Sequence, residues 1–234
     1  MAKAFDRWTV LPHEPIEKLE DNLWRVEGKM PDGRTQRAMV VARMKDGGLV
    51  IHNAIALGVA EMKELEAFGT PKILIVPNGF HRQDARIYKE RYPGLRVICP
   101  AGARRRVEQV VAVDAPLEEE RGDEDVSIET VDGAKQEAVV TVRSGDKVSL
   151  VFSDLLLNMA PSGGMMGFLL APTGRLSVPR IVRWIGLANR DAVADRLSRL
   201  ADTPGLTRVL VGHGKTVSDQ ASQKLKAAAQ ELAG

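Results

Sequence analysis

Ile73-Leu-Ile-Val-Pro-Asn-Gly-Phe-His-Arg-Gln-Asp-Ala-Arg-Ile-Tyr88 is the stretch whose reading decides the fold. Its apolar start, residues 73–76, reads as a strand buried on both faces. Pro77, Asn78 and Gly79 stop that strand, because proline removes a ladder donor and Asn-Gly tolerates positive φ. From Gln83 or Asp84 to Arg91 the chain reads as a helix with Ile87 inward. Tyr92-Pro93-Gly94 closes it, since the residue before a proline is pushed out of the α region. His81, Arg82, Gln83 and Asp84 therefore fall on a loop at the carboxyl end of a strand, where α/β folds usually place their chemistry.

Outward from this loop the same alternation continues. Residues 22–28 alternate apolar and polar and read as a half-buried strand; 38–44 and 49–51 follow as two more, joined by Lys45-Asp-Gly-Gly48. His52 comes directly after the third. An amphipathic helix is expected over 60–68, with Met62, Leu65 and Phe68 at helical spacing and Gly69 closing it. A strand at 96–98 completes a βαβ unit with a right-handed crossover. The three arginines at 104–106 read as a solvated helix start that can also face an anion, and the acidic run 114–125 as a surface segment joining two halves. Strands return at 127–131, 137–142 and 148–152. The piece 161–167 is rich in glycine and methionine and reads as a flexible loop near the site, able to offer an apolar contact surface. A helix over 191–201, a buried strand over 207–211 and a helix over 218–232 end the chain. The expected fold is α/β (α+β), one domain over 1–234 built of two βα halves, roughly 20–115 and 125–234.

Composition narrows the function classes. The chain has 234 residues, 44% of them hydrophobic, enough for a substantial core. Its formal net charge of +2 gives no electrostatic reason to expect nucleic acid or an anionic membrane as partner. The single cysteine, Cys99, excludes an intramolecular disulfide and reads as a small buried hydrophobe. Residues 1–6 lack the apolar core of a signal peptide, and no apolar run approaches the roughly 18 residues of a span, so a cytoplasmic location is expected. A small-molecule substrate and a homo-oligomer are both compatible with this composition.

Four polar groups follow apolar strands: His52, the pair His81 and Asp84, Asp154, and His213. Carboxyl ends of neighbouring parallel strands share one edge of a sheet, so these groups can converge. Imidazole and carboxylate together form the ordinary ligand set for zinc, iron or manganese. Taken singly, each histidine is equally a turn residue and Asp154 equally a helix cap.

Phe152-Ser-Asp-Leu-Leu-Leu-Asn158 and Val209-Leu-Val-Gly-His-Gly214, with the order of elements around them, resemble the metallo-β-lactamase superfamily over most of the chain, from about Leu23 to the end. The resemblance implies a four-layer αββα sandwich. It also implies that Asp154 matches the family's metal-bridging Asp and His213 its late Gly-His-Gly ligand. The family's His-x-His-x-Asp-His signature is reduced here to residues 79–84. His81 matches the second His, Gly79 and Gln83 replace the first His and the Asp, and Asp84 takes the place of the last His. A second register puts Asn78 at the first His. The family's middle His should fall near 133–137, where Glu137 is the nearby carboxylate, and His52 stands where the family has a structural Asp.

The ligand set implied is Asp84, Asp154 and His213 with His81 as fourth ligand or acid/base. His81 and Asp84 are the catalytic candidates, and His52, Asn78, Arg82 and Glu137 line the site. Two functions follow. One is a hydrolase with at most one divalent metal, zinc, iron or manganese. The other is a metal-free, non-catalytic member of the fold that recognises a partner.

Overall fold

The computed structural model describes residues 4–33, 35–161 and 163–234, so the reading of residues 1–3 and of Ser162 in the glycine-rich piece lies outside the described residues. The chain divides into two compact units, Met1–Glu129 and Thr130–Gly234.

The first unit is built on a seven-stranded sheet whose spatial order is the chain order. Strands β1 (Glu17–Glu20), β2 (Leu23–Lys29), β3 (Gln36–Arg43) and β4 (Gly48–His52) form an antiparallel meander. From β4 onward the pairing is parallel, through β5 (Thr70–Ile75), β6 (Arg96–Cys99) and the two-residue β7 (Ala115–Pro116). Parallel neighbours need crossovers, supplied by α1 (Val59–Phe68), α2 (Ala85–Arg91) and the single turn α3 (Arg104–Val107). Helix α1 buries Met62, Leu65 and Phe68, the residues its spacing predicts, and Gly69 closes it by donating to the Leu65 carbonyl.

Three expectations change here. Strand β2 is buried along most of its length rather than on one face, and its inward Arg25 is held by Glu27 at 2.7 Å. Strand β1 was not foreseen, because Glu17-Lys-Leu-Glu20 carries a single apolar residue. The acidic run is more than a surface connector. Ala115 and Pro116 add a strand to the sheet, Leu117 is fully buried, and Asp114 accepts from the Val97 amide at 2.7 Å.

The other sheet is four-stranded, of order β11-β10-β9-β8, and β9, β10 and β11 belong to the second unit. Its strands are β8 (Val126–Thr130), which carries the boundary between units, β9 (Ala138–Ser144), β10 (Lys147–Val151) and β11 (Leu206–Leu210). Strands β9 and β10 are antiparallel, whereas β11 lies parallel to β10. Between β10 and β11 the chain forms α4 (Gly164–Leu170), a π-helical turn at Val182–Gly186, and α5 (Arg190–Ala201); α6 (Ala221–Ala233) ends it. Asn189 caps α5 by accepting from the Ala192 amide at 3.1 Å. One apolar cluster joins Val193, Leu197 and Leu200 of α5, Leu225 and Leu232 of α6, and Leu150 and Val209 of the sheet. The glycine-rich piece expected as a loop is helical from Gly164 on, because Met165, Met166, Leu169 and Leu170 favour a helix enough to carry two glycines. Among the described residues no helix is long and apolar enough to cross a membrane.

Candidate functional site

In the second unit, Val151 of β10 and Leu210 of β11 are opposite one another at the ends of two parallel strands. Phe152 continues the pairing by donating to the Leu210 carbonyl at 2.9 Å, and Gly212 donates to the Ser153 carbonyl at 3.1 Å. Asp154 and His213 each come three residues after that last pair, so the two loops deliver them side by side. His213 Nε2 lies 3.3 Å from Asp154 Oδ1.

The glycines around His213 make this approach sterically possible. A Cβ on Gly212 would stand 3.0 Å from the Ser153 carbonyl oxygen. Gly214 has φ +98, and a Cβ there would stand 2.3 Å from the Asn158 carbonyl oxygen. The Gly-His-Gly pattern is thus what two closely packed loops require.

Glu137 fixes the Asp154 loop from beneath. Its buried carboxylate accepts from the amides of Ser153 at 2.9 Å, Asp154 at 3.1 Å and Leu155 at 2.8 Å. Burial pushes this carboxyl up to about 8 and the Asp154 charge adds to the rise, while the amide donors pull the other way. Read from sequence as lining the site, Glu137 spends its oxygens on the backbone that aims Asp154.

In the first unit, His81 sits in the loop between β5 and α2. Asn78 shapes that loop, its Oδ1 accepting from the amides of Phe80 at 2.8 Å and His81 at 3.2 Å. The His81 ring is oriented by Asn53, which sequence reasoning missed. Asn53 Nδ2 donates to the Ala38 carbonyl at 2.7 Å, so its Oδ1 is the atom that faces His81 Nδ1 at 3.0 Å. An acceptor there assigns the proton to Nδ1 and leaves the lone pair on Nε2. Asn53 is buried with φ +58, a conformation that asparagine tolerates better than most residues. Its position just past β4, beside the end of β5, was the available signal.

The other predicted residues of this unit have separate employment. His52 is buried as the last residue of β4, paired with Ile75. Arg82 donates to Gln109 Oε1 at 2.8 Å and to the Arg106 carbonyl. Asp84, read from sequence as catalytic and as a ligand, turns inward instead. Its Oδ2 meets Arg37 Nη2 at 2.6 Å with both side chains 1% exposed, and its Oδ1 accepts from the Ala56 amide at 3.0 Å. Burial raises its pKa while Arg37 and the Ala56 amide oppose that rise. Arg37 of β3, buried beside it, makes the pair a structural correction to the ligand role.

No protein-family model matches the chain, and no curated protein is similar to it in sequence. Solved structures are similar in fold. TMB-1 aligns with a TM-score of 0.62 at 14% identity, over 96% of this chain and 100% of its own. The metallo-β-lactamase DIM-1, in a crystal exposed to ceftazidime, aligns with a TM-score of 0.62 at 15% identity, over 95% of this chain and 99% of its own. A second DIM-1 structure gives 0.62, 13%, 94% and 99%. The chain has the metallo-β-lactamase fold, with two sheets and their helices.

Proposed function

We propose that this protein is a metal-dependent hydrolase of reduced type, in which Asp154 and His213 of the second unit hold one divalent ion, zinc, iron or manganese. The observation that carries the reading is the Asp154–His213 pair, two donor atoms 3.3 Å apart on loops built for that approach. An imidazole and a carboxylate suit such an ion, and positions left open beside the protein ligands are the pattern of catalytic sites. The residues fit the group. Glu137 fixes the backbone on either side of Asp154. When bound, the ion supplies Lewis-acid chemistry for hydrolysis of an ester, amide or phosphoester. The reading carries with it a small-molecule substrate and a cytoplasmic setting.

The test is a hydrolysis screen of esters and phosphodiesters with zinc-, iron- and manganese-loaded protein beside Asp154→Asn and His213→Ala. Activity in the wild type that both substitutions abolish supports the reading; activity that survives them overturns it. One observation favours the alternative, a non-catalytic binding module. The place of the family's middle histidine is served by Glu137, whose carboxylate is committed to backbone amides. On that account no ion binds under any loading condition.

A further inference from the structure

Three guanidinium groups gather along the seam between the His81 loop and the segment 104–110. Arg82 donates to the Arg106 carbonyl and to Gln109, and Arg86 Nε donates to the Val110 carbonyl at 2.9 Å. Arg106 lays its guanidinium over the Phe80 ring, 4.9 Å from the centroid. None of these three has a carboxylate partner among the described residues, whereas Arg104 next to them pairs with Glu108 at 2.7 Å. In a chain of formal net charge +2, this is a local concentration of positive charge.

Gly79 explains how Arg106 comes to lie there. A Cβ at Gly79 would stand 2.5 Å from Arg106 Cδ and 2.8 Å from its Cβ. Gly79 is also where the resemblance puts the family's first metal-binding histidine. In this chain the guanidinium-bearing side chain crosses the space that such a residue would fill. Phe80, 54% exposed and adjacent to His81 in sequence, gives the cation an apolar platform.

We infer that this arginine cluster, centred on Arg106, receives an anionic group, a carboxylate or a phosphate, of the substrate beside the His81 loop; the inference rests on the proposed function. A planar guanidinium takes either oxyanion through two parallel N–H donors. Arg106 thus sets specificity for an anionic substrate.

The experiment titrates inorganic phosphate and, separately, acetate into the full chain, metal-free and zinc-loaded, while the four histidine imidazoles are followed by NMR. The expected result is a perturbation of the His81 signals by at least one anion, and which anion acts separates phosphate from carboxylate substrates. Arg106→Gln should weaken that affinity about ten- to hundredfold, the worth of a charge-assisted hydrogen bond or two. Arg106→Lys should recover part of the loss, and Arg104→Gln, whose charge is already paired, should stay within about twofold of wild type. Equal affinity in wild type and Arg106→Gln, or no effect of either anion on His81, overturns the inference. Zinc uptake without Arg106-dependent anion binding sinks this inference alone. Anion binding that depends on Arg106, without zinc uptake, sinks the hydrolase reading and leaves the anion site.

Discussion

Substituting Asp84 separates a structural carboxylate from a metal ligand. In Asp84→Ala the Arg37 guanidinium stays inside the first unit, with the Ala54 carbonyl at 3.3 Å as its remaining hydrogen-bond acceptor. Breaking a buried pair from one side costs about 3–5 kcal/mol, because the surviving charge is left desolvated and unpaired. The Ala56 amide also loses its acceptor, adding about 1 kcal/mol or more. A total near 4–6 kcal/mol is a large share of the roughly 5–15 kcal/mol that holds a domain folded. For a chain of this length it lowers Tm by about 8–24 °C. The assay is urea and thermal unfolding followed by circular dichroism, with metal content measured on the same samples. The double variant Arg37→Met/Asp84→Leu removes both charges and fills the space, so it should recover most of the loss. Stability within about 1 kcal/mol of wild type in Asp84→Ala, together with vanished metal uptake, would refute the reasoning and return Asp84 to the ligand set.

Glu137 gives the metal-free protein a pH dependence. Its folded pKa is raised from 4.5 to about 8, so the folded state holds the proton more tightly than the unfolded one. Its contribution is greatest below about pH 4.5 and is lost as pH rises through about 8. Urea midpoints should therefore fall between pH 5 and pH 8, and Glu137→Gln should flatten the trend; an equal slope in the variant contradicts the assignment. Asn53→Gly keeps the left-handed backbone and removes the amide that orients His81. His81 should lose its single tautomer with little change in the unfolding midpoint, read from the nitrogen chemical shifts of its imidazole; an unchanged tautomer would show that Asn53 does not fix it. Gly212→Ala forces a methyl against the Ser153 carbonyl. A loss of about 1–3 kcal/mol together with weaker zinc binding is expected, and unchanged values for both would show that the two loops do not depend on that approach.

Much of the fold was legible because its signals are local. The spacing of Met62, Leu65 and Phe68 and the helix over Val193, Leu197 and Leu200 are repeated by the structure nearly residue for residue, and the apolar run before Pro77 is a strand that starts three residues earlier, at Thr70, and ends at Ile75. Asp154 and His213 could be singled out by position alone, since each follows a buried strand and the two strands pair in parallel. What stayed hidden depends on distant partners. The sequence at Asp84 does not reveal Arg37, which reaches it from β3. The alternation around Glu137 does not show that its carboxylate turns under Ser153, Asp154 and Leu155. Asn53 was not singled out because its work, fixing the His81 tautomer, is visible only once Ala38 is seen to claim its amide nitrogen. Helix α4 was obscured by its glycines, which weaken a helix on average and are overridden here by neighbouring helix formers.

The central claim is one divalent ion on Asp154 and His213, and elemental analysis by plasma mass spectrometry addresses it most directly. Untagged wild-type protein and the Asp154→Ala/His213→Ala variant are dialysed without chelator after loading with zinc, iron or manganese. The account predicts about one ion per chain in the wild type and none in the variant, which remains cooperatively folded. No ion in the wild type after any loading, or the same content in both proteins, would contradict it.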